Sequence, residues 1–165
     1  MKKTISVISI LVLLLCMFAI TSNAQTVDSL SSANVVSRTI EYLPDGSKIE
    51  TVLVEEEHNV SARATEYTKS GTKTRTYTDS NGNVLWWFKL RGQYDVVEGV
   101  SSVCTVASYS HSISDSSWSL DSASTSKSGN KAMASATFKK KILFVTTDTY
   151  EFDLTLTCDK NGNLS

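Results

Sequence analysis

The chain has 165 residues with 16 basic, 17 acidic and two histidine side chains. This balance argues against nucleic acid as a partner, because phosphate binding needs a concentrated positive surface. The sequence also contains neither a phosphate-binding glycine loop nor a histidine motif for zinc, so we expect no cofactor and no metal ion.

The first 24 residues are typical of a secretory signal peptide. Met1–Lys3 is basic, an apolar stretch runs from Ile5 to Ile20, and small residues follow at Ser22 and Ala24. We expect cleavage after Ala24, which leaves 141 residues with no membrane span. An uncleaved anchor is the alternative, since roughly 17 apolar residues can just cross a bilayer. The sequence therefore predicts a secreted, extracellular protein.

The mature chain has the pattern of one all-β domain. Residues 25–34 are polar and serine-rich, and we expect a flexible leader there before a single domain at 35–165. In that domain, short segments of alternating polar and apolar residues are separated by turn-forming residues. The predicted strands cover 35–43, 48–56, 62–69, 72–78, 84–91, 102–113, 117–125, 131–138 and 143–158. They predict an antiparallel β-sandwich that begins with a hairpin at 35–56.

A pentapeptide with the pattern D-x-N-G-N occurs at Asp79–Asn83 and again at Asp159–Asn163. A calcium loop of the EF-hand type needs glycine at its sixth position and glutamate at its twelfth, and this pattern lacks both. We therefore predict a hairpin turn for the first copy. Only two residues follow the second copy, so we expect it to end the domain as a polar cap or a loose tail.

The register of the first hairpin defines a candidate binding surface. A three-residue loop pairs Arg75 with Trp87 and places Trp87, Tyr77, Arg75 and Lys89 together on the outward face. A two-residue loop would pair Arg75 with Phe88 on the apolar face, where an unpaired charge is costly. An aromatic ring with polar neighbours can bind a sugar or a peptide. It can also stabilise the strand by cation–π pairing, or be covered by a second sheet.

Two further features concern local backbone structure. Ser70-Gly71 predicts a turn between two short strands. In the serine-rich segment 101–114, Cys104 and Ser108 fall on the same face of a regular strand. The sequence therefore does not decide which face of this strand is buried. Either a bulge near Ala107 switches the face or the serines pack inward.

Two cysteines, Cys104 and Cys158, remain after loss of the signal peptide, which contains Cys16. An even count in an exported protein predicts one disulfide, which would stabilise the fold by roughly 4 kcal/mol. Trp118 follows Cys104 by 14 residues, a spacing found in immunoglobulin domains. Only seven residues follow Cys158, too few for the last strand of such a domain. We expect a sandwich that is only loosely immunoglobulin-like.

Catalysis has little support in the sequence. The histidines are His58 and His111, and with so many serines a Ser-His-Asp set can be named by chance. No pair of carboxylates is singled out for glycoside hydrolysis. We therefore predict a protein without enzymatic activity and keep a small hydrolase as the least favoured alternative.

Four segments of the chain resemble small exported proteins of Gram-positive bacteria that carry a domain of unknown function. They read VVSRTIEYLPDGSKIETVLVEE, SGTKTRTYTDSNGNVLWWF, SKSGNKAMASAT and LTLTCDKNGNLS. The resemblance covers most of the mature chain, and its motifs are turns and strands. It implies an exported bacterial protein and carries over no active residue.

The sequence as a whole predicts a monomeric binding module, secreted or associated with the cell envelope. Its partner would be an extracellular protein or a cell-wall glycan. A toxin-like or inhibitor-like effector is the alternative function. An exposed Trp87 surface would favour the binding module, whereas a pocket joining His58 or His111 to a serine and a carboxylate would favour an enzyme.

Overall fold

The computed structural model describes residues 34–56 and 65–165, and the regular structure in them is all strand. The eight strands are β1 (Asn34–Tyr42), β2 (Lys48–Glu55), β3 (Glu66–Thr78), β4 (Val84–Val97), β5 (Ser101–Ile113), β6 (Trp118–Ser128), β7 (Lys131–Ile142) and β8 (Val145–Thr157). They form two antiparallel sheets, one of β1–β5 and one of β6–β8. The predicted all-β sandwich is confirmed. The predicted signal peptide and nearly all of the predicted leader lie outside the described residues.

Consecutive strands are neighbours throughout both sheets, so each sheet is a simple meander. An immunoglobulin domain instead uses Greek-key connections. The likeness to that fold is therefore limited to two packed antiparallel layers. No helix in the described ranges is long and apolar enough to span a bilayer.

The core lies between the two sheets and follows directly from the alternation of apolar residues. β4 buries the large side chains of Trp86, Phe88, Leu90 and Tyr94, whereas β7 contributes three buried alanines and Phe138. Small residues on one sheet leave room for large ones on the other, and Trp86 stacks on Phe138 with ring centroids 4.1 Å apart. The main core side chains are Trp86, Phe88, Leu90, Tyr94, Val96, Ala132, Ala134, Ala136, Phe138, Phe152, Leu154 and Leu156.

The predicted turn at Ser70-Gly71 is wrong, because both residues lie inside the continuous strand β3 and are buried. A Cβ atom on Gly71 would collide with Leu164 Cδ1 and would lie 3.0 Å from the carbonyl oxygen of Val54. The glycine is there because another side chain occupies the space above it. The sequence alone does not distinguish a glycine that forms a turn from a glycine that allows another chain segment to approach closely.

The prediction for the second D-x-N-G-N copy is also wrong, because the chain turns back after it. The Asp159 amide donates to the carbonyl of Asn163 at 2.9 Å, and Gly162 has a φ of 80°. Ser165 then exchanges two hydrogen bonds of 2.9 Å with Thr157, and Leu164 is buried in the core. A three-residue turn needs only two returning residues to insert an apolar side chain.

The first copy forms the same turn, and the register beyond it differs from the prediction. Thr78 faces Val84 as predicted, but a bulge at Leu85 then shifts the register by one, so that Tyr77 faces Trp86 and Arg75 faces Phe88. The Leu85 carbonyl accepts hydrogen bonds from the two amides of the Ser114-Asp115 segment, at 2.8 and 3.2 Å. This contact with the β5–β6 connection accounts for the bulge.

The shifted register turns two charged residues towards the second sheet, and both find partners there. Arg75 Nη2 donates to Tyr150 Oη at 2.6 Å, and the guanidinium lies 5.1 Å from the ring centroid of Phe152. Lys73 Nζ donates to the carbonyl of Thr155 at 2.8 Å. The cost of burying an unpaired charge, on which the predicted register depended, therefore does not apply.

The structure shows which face of the serine-rich strand β5 is buried. A bulge at Thr105 separates Val106, which faces Gln93, from Cys104, which faces Tyr94. Cys104 thus points into the core, and the bulge places the serines further along β5, which share its parity, on the outward face. Of the two alternatives, the bulge is confirmed, two residues before the predicted position.

The predicted disulfide is wrong: Cys104 and Cys158 are buried free thiols, and they do not lie at disulfide distance. The amide of Cys104 donates to Gly129 at 2.8 Å, and the amide of Cys158 donates to Asn130 at 3.1 Å. Each Sγ lies near a carbonyl of its own segment. The β6–β7 turn therefore links the two backbones at the end of the sandwich, where a disulfide was expected.

Candidate binding cleft

The bulge at Leu85 divides the predicted ligand-binding set between the two faces of the five-stranded sheet. Trp87 and Lys89 point outward, as predicted. Tyr77 and Arg75 point inward, where Tyr77 contacts the core and Arg75 lies over Tyr150. The four residues do not form one surface.

The outward pair forms a small cation–π contact. Lys89 Nζ lies 5.5 Å from the ring centroid of Trp87, and Trp87 is half-buried between Thr76 on β3 and Ser112 on β5. These neighbours are small and hydroxyl-bearing, so the surface is shallow. The contact is the self-stabilising arrangement that the sequence left as one alternative.

The inward residues lead to a cleft at one open end of the sandwich. It has a volume of about 300 Å³ and lies between the β1–β2 turn, β3 and the three-stranded sheet. Trp118, Lys140 and Asp148 form one cross-strand row of its floor. The lining is Leu43, Pro44, Asp45, Tyr77, Trp118, Lys140, Asp148, Thr149 and Tyr150.

Alternation explains why this row lies in the cleft. Phe138 on β7 and Tyr150 on β8 point into the core, so Lys140 and Asp148, two residues further towards the strand ends, share their face. The core ends there, and the same face that carries apolar side chains inside the sandwich carries charged ones at its mouth. A polar rim thus continues directly from an aromatic floor.

Three aromatic rings meet in the cleft at contact distances. Tyr77 is edge-on to Trp118 with centroids 5.4 Å apart, and it is nearly parallel to Tyr150 at 6.2 Å and 9°. Trp86 backs this group from inside the core at 6.1 Å from Trp118. Rings packed in this way have few alternative rotamers, so the site is preorganised.

One hydrogen-bond donor of the cleft lining is available to a ligand. Tyr150 Oη accepts its hydrogen bond from Arg75 at 2.6 Å, which leaves the phenolic proton free to donate. Burial raises the pKa of Tyr150, and Arg75 opposes that shift. Trp118 Nε1 is buried and has no hydrogen-bond partner in the described part of the chain. Trp86 Nε1 and Arg75 Nε are buried and unpaired in the same way.

The β1–β2 turn supplies the third wall. Asp45 Oδ1 accepts hydrogen bonds from both the amide and the hydroxyl of Ser47, at 3.0 and 2.5 Å. These bonds lower the pKa of Asp45 and keep the carboxylate ionised. Ser47 Oγ also lies 3.2 Å from Tyr77 Oη, so the turn is tied to the aromatic group.

The residues considered for catalysis lie elsewhere. His58 lies outside the described residues. His111 is exposed on β5, with its ring 6.3 Å from Tyr109 and 6.5 Å from Phe138, and it does not line the cleft. Within residues 34–56 and 65–165, no group of three His, Cys, Asp or Glu side chains is placed to hold a metal ion.

The sequence reasoning missed Trp118, Tyr150, Lys140 and Asp148 as site residues. Tyr150 lies within the predicted strand 143–158, and the sequence singles out Trp118 only for its spacing from Cys104. The available signal was the change from apolar to charged residues on one face of β7 and β8. That signal identifies a strand end, and only the packing of the β1–β2 turn makes it a cleft.

Comparison with protein-family models found no matching family, and no curated protein or solved structure matched the chain. A sandwich fold is compatible with many functions. Function therefore has to be inferred from the chemistry of the cleft.

Proposed function

We propose that this protein is a secreted, non-enzymatic binding module of the bacterial cell envelope, and that it binds a carbohydrate in the cleft at the end of the sandwich. The observation that carries the proposal is the cleft walled by the packed rings of Tyr77, Trp118 and Tyr150, with charged side chains at its rim. The export of the chain and its Gram-positive origin rest on its N-terminal pattern and on its resemblance to other exported proteins.

Carbohydrate suits the chemistry of the lining. Sugar rings have apolar C–H faces that pack on aromatic rings, and their hydroxyl groups both donate and accept hydrogen bonds. Tyr77, Trp118 and Tyr150 supply the aromatic surface, and the Tyr150 hydroxyl supplies a donor. Asp45 and Asp148 supply acceptors at the rim. Few polar groups around an aromatic floor are typical of small-molecule sites.

The dimensions favour a short saccharide or the end of a glycan chain. About 300 Å³ is at the lower limit for ligand sites. The surface around Trp87 is bordered by the small side chains of Thr76 and Ser112. We therefore place the site at Trp118, and Trp87 serves as its internal control.

The test is a binding assay on the exported protein with soluble fragments of Gram-positive cell-wall polysaccharide. Trp118→Phe keeps an aromatic ring in the cleft and makes it smaller. We expect its affinity to fall about five- to tenfold, because the smaller ring offers the ligand less apolar surface. Trp87→Phe, the same substitution on the outer face, is the matched control, and we expect it to bind like the parent protein.

Two results would contradict the proposal. One is unchanged affinity in Trp118→Phe together with loss of binding in Trp87→Phe, which would move the site to the outer face. The other is the absence of any glycan binding alongside saturable capture of an extracellular protein by the same preparation. A thermal melt of each variant shows whether a lost signal reflects the site or the fold.

A further inference from the structure

The β7–β8 hairpin ends in four consecutive exposed apolar residues. Ile142 is 53% exposed, Leu143 87%, Phe144 100% and Val145 65%. Ile142 and Val145 are the last paired residues, so Leu143 and Phe144 form a two-residue loop at the tip. Fully exposed aromatic and aliphatic side chains at a loop tip do not contribute to the stability of the folded state. Such a contiguous patch is typical of a contact site.

The backbone at this tip is strained. Leu143 has a φ of 49° and Phe144 a φ of 71°, the only positive values at non-glycine residues in the described ranges. A two-residue loop with both residues at positive φ is a type I′ turn, which favours Asn-Gly. Two bulky residues there raise the energy of the folded state, and strain of this kind is concentrated at functional sites.

The charges around the tip are mostly basic. Lys139, Lys140 and Lys141 directly precede it. Lys139 Nζ lies 2.9 Å from Asp121, and Lys140 faces Asp148 across the hairpin. Lys141 is exposed and faces Thr146, which is uncharged. An apolar tip with a cation directly behind it complements a membrane interface that carries anionic headgroups.

We propose that the β7–β8 tip docks the protein on an anionic phospholipid bilayer, with Leu143 and Phe144 in the interfacial region and Lys141 at the headgroups. A stable protein interface needs about 800 Å² from each partner, more than a narrow two-stranded tip offers. A bilayer accepts a small tip because it has no fixed shape to match. The inference concerns a second site and does not depend on the glycan cleft.

The test is co-sedimentation of the exported protein with vesicles of phosphatidylglycerol and phosphatidylcholine. Phe144→Ala should weaken binding about tenfold or more, because its ring supplies the largest apolar surface at the tip. Lys141→Ala should weaken it about fivefold on these vesicles and leave the weak binding to pure phosphatidylcholine unchanged. Trp118→Phe is the control from the cleft, and it should sediment like the parent protein.

The double variant Leu143→Asn/Phe144→Gly separates binding from folding. Asn-Gly suits the type I′ turn, so this protein should melt at a higher temperature than the parent while losing vesicle binding. Two outcomes would overturn the inference: no sedimentation of the parent protein with anionic vesicles, or full sedimentation of the double variant. Loss of a dimer in the double variant, without vesicle binding by the parent, would assign the tip to self-association instead.

Discussion

Gly71 and Leu164 should be energetically coupled, because one leaves the space that the other fills. Leu164 is 6% exposed, and its Cδ1 occupies the position that a Cβ on Gly71 would need. Leu164→Ala should cost about 3 kcal/mol, within the usual range for a buried leucine. Gly71→Ala should cost about 2 kcal/mol through overpacking. If both residues compete for one volume, the double variant is more stable than the sum of the two losses predicts.

The coupling can be estimated from the remaining contacts. In the Leu164→Ala background the nearest atom that still opposes the added methyl group is the carbonyl oxygen of Val54, 3.0 Å away. We expect the cost of Gly71→Ala to fall below about 1 kcal/mol there, a coupling of at least about 1 kcal/mol. Urea denaturation followed by tryptophan fluorescence measures all four proteins. Equal costs of Gly71→Ala in both backgrounds would refute the packing described for the C-terminus.

Gly92 provides the matched control for this cycle. A Cβ on Gly92 would meet the ring of Tyr94, at 2.6 Å from its Oη, rather than Leu164. Gly92→Ala should therefore destabilise the protein by a similar amount in both backgrounds. If the coupling free energy between Gly92→Ala and Leu164→Ala is as large as that between Gly71→Ala and Leu164→Ala, the coupling reflects a general loosening of the core. It would then not reflect a specific contact between Gly71 and Leu164.

Two further predictions concern titratable groups. Burial raises the pKa of both Cys104 and Cys158. Iodoacetamide should therefore label them slowly in the native protein and rapidly in urea, as measured by mass spectrometry of their peptides. An intact mass lower by two hydrogens would contradict free thiols. Hydrogen bonds from Asn163 lower the pKa of Asp159 below its ordinary 3.8, so its contribution to stability is present above pH 3.8 and lost as the pH falls further. Asp159→Asn should therefore reduce stability at pH 7 and make it less dependent on pH between about 4 and 2, and an unchanged acid melting profile would contradict this.

Strand positions and the layer architecture were predictable because alternation is a local property. Trp86, Phe88 and Leu90 on β4 and Phe152, Leu154 and Leu156 on β8 are buried as their spacing predicts. Each such segment buries one face against any apolar layer, so the identity of the partner is not needed. The loop of the first hairpin was likewise predictable from its own residues.

The registers and the cleft were not predictable because they depend on distant contacts. The bulge at Leu85 follows from hydrogen bonds with Ser114 and Asp115, about 30 residues away. The buried Gly71 is explained by its contact with Leu164, which is far away in the sequence. The charge on Arg75 argued against the true register only because its partner, Tyr150, could not be foreseen.

The pairing of the cysteines shows the same limit. Composition and the predicted export favoured a disulfide, whereas the β6–β7 turn sets the positions of both backbones by bonding to each cysteine amide. Cysteine parity reports which side of a sheet a thiol is on. It does not report the distance between two thiols in different sheets.

The measurement that tests the proposed function most directly is an NMR titration of the three indole N–H signals with cell-wall saccharide. Trp118 lines the cleft with its N–H unpaired, and Trp87 lies on the outer face of the other sheet. We predict that the Trp118 signal shifts saturably, because the ligand packs against its indole ring, while the Trp87 signal stays in place. A saturable shift of the Trp87 signal with no change in the Trp118 signal would contradict a binding site in the cleft.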